Sequence, residues 1–567
     1  MQGRSIWQER GNQMKKMRVG QLAGALALVL AWGGAGVAGA SDHAALIGLY
    51  DEFRSLTQPA IKRGVPDYTP LAMERQFEAL EALQARLEAI DDSRWPVSER
   101  ADYMLVLAEM RGMEFQHRVL QPWKRDPAYY SVTNLGFGPK LHNAFDVPQL
   151  PIAAPAVAQL KASLEVAPAI LAQARRNLTD PHRDLAMLAI IQKDVEINVF
   201  SRLAEQARLH HPELVQPALA AAEASREFRD WLKEIQADLP VYAGVGDANY
   251  DWYLKYVLLF PYSADEIRII GQREHQRTTG WLAMEAHRNR NLAQVEPVGS
   301  REGFDRNREE ADNELLAFLR DNQIVTVPDY LRYNPDEGPY ILPSERDPAR
   351  KGLFEPPLDL HFFFQAEFRD PRPLRAHNLP GHAFDHLEWM RDERPIRGKP
   401  RLFFVSGVRS EGWAFYLEEL ILQMGMLDGR PTGREIDYVL AAKRAARLEP
   451  ELNMHANRWT YAQAKDALVK GTPRWMEADD AIAAFDIELY LRQPGYGIGY
   501  YMGKVELEKL LSERFMDQRD DFVLGRFHDE FRASGALPIS LIRWEMTGRD
   551  DEVREMRQAP PIPQPRP

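Results

Sequence analysis

The chain has 567 residues, a formal net charge of −12 and no cysteine. The acidity argues against nucleic acid as a partner. The lack of cysteine excludes disulfide staples, thiol catalysis and cysteine-held metals, so any metal must be held by His, Asp and Glu.

Residues 1–40 read as an export signal. Arg10, Lys15, Lys16 and Arg18 make a basic start, Leu22 to Trp32 an apolar run, and Ala38-Gly39-Ala40 a small-residue cleavage site before Ser41. Cleavage near Ala40/Ser41 would remove five basic residues and one acidic residue, taking the net charge from −12 to −16. The apolar run is short for a membrane span, and no later stretch approaches about 18 uninterrupted apolar residues. The expectation is an exported protein, periplasmic in a Gram-negative cell, with no stable membrane insertion after cleavage. At roughly 150 residues per domain the remainder could be several domains or one large helical body. Nothing in the composition sets an oligomeric state.

Helical periodicity dominates the chain beyond Ser41. Phe77, Leu80, Leu83, Leu87 and Ile90 recur at steps of 3 and 4 among Glu, Gln and Arg, the pattern of an amphipathic helix. It stops at Asp91-Asp92-Ser93 and Trp95-Pro96. Further helices are expected over Ser98–Phe115, Ala156–Asn177, Asp184–Ala207, Leu214–Ala237, Ser263–Arg288 and Arg301–Asn322, then over Gly433–Ala446, Ala478–Arg492 and Gly499–Arg514. Between Pro328 and Pro373 prolines interrupt the pattern, which predicts irregular chain with short strands such as Leu358–Phe364. This stretch reads as a cleft wall or lid, or as an inter-domain linker. The Pro-rich end from Ala559 to Pro567 is expected to be disordered. The fold class is mainly α, with few short strands.

Two segments carry the chemistry. In the first, running from Ala376 to His386, His382 and His386 are i and i+4, the helical spacing at which two imidazoles can share a zinc ion. The second begins Ser410-Glu411-Gly412-Trp413, and Glu411 follows His386 by 25 residues, a gap suited to a third ligand from another helix. Ala383 stands where the short H-E-x-x-H motif has its general-base glutamate. Trp413, Tyr416, Leu417 and Leu420 follow helical spacing and read as core.

From Val241 onward the chain resembles the bacterial domain of unknown function 885 family, with the clearest likeness over 241–550. The family motif H-E-x-x-P-G-H-H-L-Q is matched by Leu379-Pro380-Gly381-His382, and E-G-W-A-L-Y-A-E by Glu411 to Tyr416. Arg447-Leu448 with His455, Gln493-Pro494-Gly495 with Tyr500 and Gly503, Phe527-His528-Asp529 and Gly535-Ala536-Leu537-Pro538 supply further blocks in the family's order. The resemblance implies one helical domain over 41–558, split by a central peptide-binding groove and distantly similar to all-helical zinc peptidases. Departures fall on the motif itself. Ala376 and His377 stand where the family has histidine and glutamate, Ala383 replaces a histidine, Glu451 an aspartate and Tyr496 a glutamine.

Three arrangements are open. In one, His382, His386 and Glu411 hold zinc, with Asp385, Glu388 or His377 as base and His455 and Tyr500 steadying the oxyanion. In another, His377 replaces the lost histidine, giving His377, His382 and Glu411. In the third no metal binds and a pseudo-peptidase holds peptides in the groove. Arg447 reads as a peptide-carboxylate contact or a structural ion pair, and Tyr496 as a groove-lining residue. The function implied is metal-dependent hydrolysis of short peptides, or peptide binding without turnover. A serine hydrolase is disfavoured by the absence of a G-x-S-x-G elbow.

Overall fold

The computed structural model describes residues 40–134, 139–331 and 352–563. The export-signal reading of residues 1–40 therefore falls outside the described residues except at its last position, as does the middle of the lid or linker stretch, residues 332–351. The fold is mainly α-helical. The expected amphipathic helix runs Pro70–Glu88, opened by Pro70 at a position whose N–H has no helical partner anyway, and Leu80, Leu83 and Leu87 are buried. Val97–Phe115, Ala154–Asn177, Arg183–His210, Val215–Ile235, Ala264–Arg288 and Arg301–Asp321 lie within a few residues of expectation. Ser263 and Glu266 close a capping box, each side chain satisfying a backbone N–H of the other, which fixes the start of the Ala264–Arg288 helix.

The strand expected over Leu358–Phe364 is absent. Phe362–Glu367 is a helix whose first turn is capped by His361, its Nδ1 accepting from the Phe364 N–H at 3.3 Å. A short apolar run cannot distinguish strand from buried helix, and the cap decides it here. Among the described residues the strands are Ile61–Lys62 and Val65–Pro66, an antiparallel hairpin turned by Arg63 and Gly64, both at positive φ. The Pro-rich end is docked at its start: Ala559 and Ile562 pack on the core, and the Pro560 carbonyl accepts from Trp252 Nε1 at 2.8 Å.

The main apolar core runs from Leu46 to Met556, and Phe304, Leu360, Phe364 and Phe368 form a smaller second cluster. In the first half, Ala154–Asn177 and Arg183–His210 both pack on Val215–Ile235. In the second half, the glutamate helix Gly407–Gln423 lies along the tyrosine helix Tyr496–Gln518. They approach closely because a side chain at Gly412 would run into the backbone of Gly503. Trp413, Tyr416, Leu417 and Leu420 are buried there as core. Against the other side of the glutamate helix lies the segment His377–Ala383.

Candidate metal centre

The histidine segment owes its shape to Pro380. After the short helix Arg372–Ala376, residues His377–Ala383 form a π-helical turn, and α-helix resumes at Phe384–Trp389. Pro380 has no N–H to give to an α ladder, and a widened turn accommodates it. Residues five apart on an α-helix point about 140° apart at ~100° per residue. On the wider turn they meet, with His377 Nε2 3.0 Å from His382 Nε2. Gly381 lets this turn press onto the glutamate helix, since a Cβ there would stand 2.9 Å from both Cα and Cβ of Ala414.

Glu411 completes the group, its Oε2 3.4 Å from His382 Nε2 and 3.7 Å from His377 Nε2. A tetrahedral ion with ligand bonds of about 2.1 Å has ligand–ligand edges of about 3.4 Å. The three separations bracket that edge. Glu411 Oε2 is buried and accepts no hydrogen bond, whereas Oε1 accepts from the Tyr496 hydroxyl at 2.8 Å. The donor set therefore fits a divalent cation, and among the described residues it is the one such group of His and carboxylate atoms.

The surroundings orient these donors. His377 Nδ1 lies 2.7 Å from Glu418 Oε1 and 3.3 Å from an Arg444 guanidinium nitrogen, so these two flank Nδ1 and Nε2 faces the centre. Arg444 pairs with the same Glu418 oxygen from the helix Pro431–Ala446. Burial, helped by His382 and by Arg444 and Arg447, pushes the His377 pKa well down and keeps the ring neutral. Burial also works against a charged His382, but the Glu411 carboxylate outweighs it and raises that pKa. Burial alone would raise Glu411; His382, the Tyr496 hydroxyl and Arg447 reverse it. Burial pushes Glu418 up to about 7, with Arg444 and Arg447 opposing.

His382 also lines a cavity of about 660 Å³, together with Asp385, His386 and Glu388. His386 is not part of the converging group: it packs against Trp389 at 5.6 Å, because the π-turn ends before the α-helix that carries it. Asp385 is held by Arg409 and Glu388 by Arg532. Tyr500 lies parallel to His377 with ring centres 6.2 Å apart. His455 does not approach the centre. It is fully buried, bonds the Tyr490 carbonyl through Nε2 at 2.9 Å and stacks on Tyr250. Arg447 is 1 % exposed, pairs with Asp486 and lies over the Tyr500 ring at 4.1 Å, so a peptide carboxylate would have to displace Asp486 to reach it. Glu451 accepts from the Tyr250 hydroxyl and from the backbone N–H groups of Gly495 and Ile498, closing the start of the tyrosine helix. Tyr496 supports Glu411 rather than lining the cavity. Arg444 had no signal beyond a basic pair set in the apolar run Val439 to Ala446.

The family model described as bacterial protein of unknown function (DUF885) matches residues 42–546, and the chain belongs to that family. No curated protein matches it. Its fold is similar to that of a protein of unknown function from Shewanella oneidensis, described as a lipoprotein. The TM-score is 0.66 at 18% identity, covering 89% of this chain and 99% of the other. It is also similar to a protein from Colwellia psychrerythraea described as a lipoprotein, with a TM-score of 0.61 at 15% identity and the same coverage, 89% and 99%.

Proposed function

We propose that this DUF885 family member is an exported, metal-dependent hydrolase of short peptides, with zinc held by His377, His382 and Glu411. The reading is carried by the convergence of three donor atoms at 3.0 to 3.7 Å, one of them a buried carboxylate oxygen with no hydrogen-bond partner. Bound zinc supplies a Lewis acid that polarises a carbonyl and makes water more acidic. Glu418 and Arg444 flank His377 on its Nδ1 side and keep Nε2 towards the centre, and Tyr496 holds Glu411 by its other oxygen. Glu388 faces the cavity beside Arg532, burial raises its pKa against that arginine, and it is the carboxylate placed to take up the proton that water gives up. Export is supported by the signal-like residues 1–40 and by the two similar folds described as lipoproteins. Among the described residues no helix is long and apolar enough to cross a membrane.

A second reading, a peptide-binding protein without turnover, is favoured by one observation: both cavity carboxylates, Asp385 and Glu388, are tied to arginines. Elemental mass spectrometry on the purified mature protein, with His382→Ala and Glu411→Gln beside it, separates the two. Near-stoichiometric zinc that both variants lose, with hydrolysis in a peptide library that falls in step, supports the hydrolase. Metal content and hydrolysis unchanged in Glu411→Gln would refute it, and peptide binding with no metal after zinc is supplied at neutral pH would establish the second reading.

A further inference from the structure

Five arginines line the cavity into which His382 faces, and four have a carboxylate partner. Arg409 pairs with Asp385, Arg532 with Glu388, Arg394 with Asp392 and Arg401 with Glu109. The remaining cavity carboxylate, Asp529, accepts from the backbone N–H and hydroxyl of Thr326 and lies 3.8 Å from Arg532. Arg391 alone among the five is paired with no carboxylate among the described residues. Its guanidinium is nevertheless held in place, by the Leu387 carbonyl at 2.8 Å and by the face of Tyr330 at 3.9 Å. The side chain is exposed, so its charge is open to a ligand. Trp389, two residues earlier on the same wall, has an indole N–H with no acceptor. Arginines placed only for solubility scatter over a surface. This one is stacked, oriented and left without a counter-charge inside a cavity whose other charges are matched.

We propose that Arg391 is the anchor for the free C-terminal carboxylate of a short peptide lying in this cavity, with the peptide's bond towards His382. The inference rests on the peptide-hydrolase reading and specifies its substrate class. A carboxylate accepts two parallel N–H bonds from a guanidinium, a geometry that Lys cannot reproduce. Between His382 and Arg391 stands the helix Phe384–Trp389, about 9 Å at helical rise, with one residue of chain on either side. An extended peptide covers roughly 3.3–3.6 Å per residue, so about three to four residues bridge the two. The cavity volume, within the few hundred Å³ typical of small-ligand sites, holds a peptide of that length.

The test uses the full mature protein supplied with zinc and a pair of dye-labelled tetrapeptides, one a free acid and one a C-terminal amide. Affinity is read by fluorescence anisotropy and cleavage by chromatography. The free acid should bind about tenfold or more tightly than the amide. Arg391→Gln should lower the free acid to the amide's affinity and leave the amide unchanged. Arg391→Lys, which keeps the charge but not the fork, should recover only part of the difference. Equal affinity for acid and amide overturns the anchor while leaving peptide hydrolysis standing, as does an equal loss for both ligands in Arg391→Gln. Neither peptide binding or being cleaved overturns the anchor and the hydrolase reading together.

Discussion

Replacing His377 and His386 separately by alanine separates the donor set on the π-turn from the helical i, i+4 pair. His377 Nε2 lies 3.0 Å from His382 Nε2 and 3.7 Å from Glu411 Oε2, whereas His386 packs against Trp389 outside that group. Structural zinc sites with four ligands are worth about 10–16 kcal/mol, so one ligand carries about 3–4 kcal/mol, or roughly 10²–10³ in affinity. His377→Ala should therefore weaken zinc binding by about that factor, and His386→Ala by less than about threefold. Competition against a chelator of known affinity measures both, with elemental analysis after dialysis as the check. Thermal unfolding of the metal-free variants shows whether His377→Ala has disturbed the fold, since its ring is buried beside Glu418 and Arg444. Zinc lost equally in His386→Ala, or retained at full affinity in His377→Ala, would refute the convergence argument.

Glu418→Gln leaves the buried Arg444 guanidinium without its carboxylate, which should cost about 3–5 kcal/mol in urea unfolding and weaken zinc about 10–100-fold; a loss below about 1 kcal/mol would show the pair to be dispensable. Gly381→Ala forces a Cβ to within 2.9 Å of Ala414, so it should destabilise by about 1–3 kcal/mol and lower zinc occupancy by prising the π-turn off the glutamate helix; unaltered stability and metal content would contradict this close approach. His455 and His528 are buried with pKa values pushed down to about 4, so between about pH 6.5 and 4 the unfolded chain takes protons that the folded one refuses. Each contributes stability that is complete above about pH 6.5 and falls by up to about 1.4 kcal/mol per pH unit as the pH drops towards 4. His455→Gln should flatten the fall in urea-derived stability over this window, and a slope identical to wild type would show that His455 does not titrate as its burial demands.

The long helices were legible because an amphipathic repeat is local. Leu80, Leu83 and Leu87 announce a buried face whatever lies opposite, and Ser263 with Glu266 marks a start within four residues. Leu358–Phe364 was not, because three consecutive phenylalanines satisfy a strand or a helix equally and only the His361 side chain, folded back on Phe364, selects the helix. The Pro-rich end misled for a related reason. Composition reports what Ala559, Pro560 and Ile562 lack in local preference, not that Trp252 and the core hold them. At the centre, spacing offered His382, His386 and Glu411, the family resemblance offered His377 in place of its lost histidine, and neither could choose between the two metal sets. The choice depends on whether the chain around Pro380 follows an α or a π ladder; Pro380, with no N–H to give, takes the wider turn, and Gly381 lets that turn pack on Ala414 of a helix some thirty residues away.

That packing also accounts for the departures from the family pattern as a connected set. Moving a histidine from the position of Ala376 to 377 would carry it about 100° round an α-helix and away from any shared ion. On the π-turn the shifted ring still meets His382, while the fully buried Ala376 joins the apolar core. Its Nδ1 then faces Glu418, seven residues past Glu411 on the same helix and on nearly the same face. Tyr496, standing where the pattern has glutamine, is long enough for its hydroxyl to reach Glu411 Oε1, and Glu451, in place of aspartate, reaches the N–H groups that open the tyrosine helix. A site losing its function would be expected to lose these supports independently. Here His377, the Glu418 beside it and the Tyr496 that supports Glu411 remain fitted to one another, and that mutual fit favours a centre able to hold a metal ion over a decayed one.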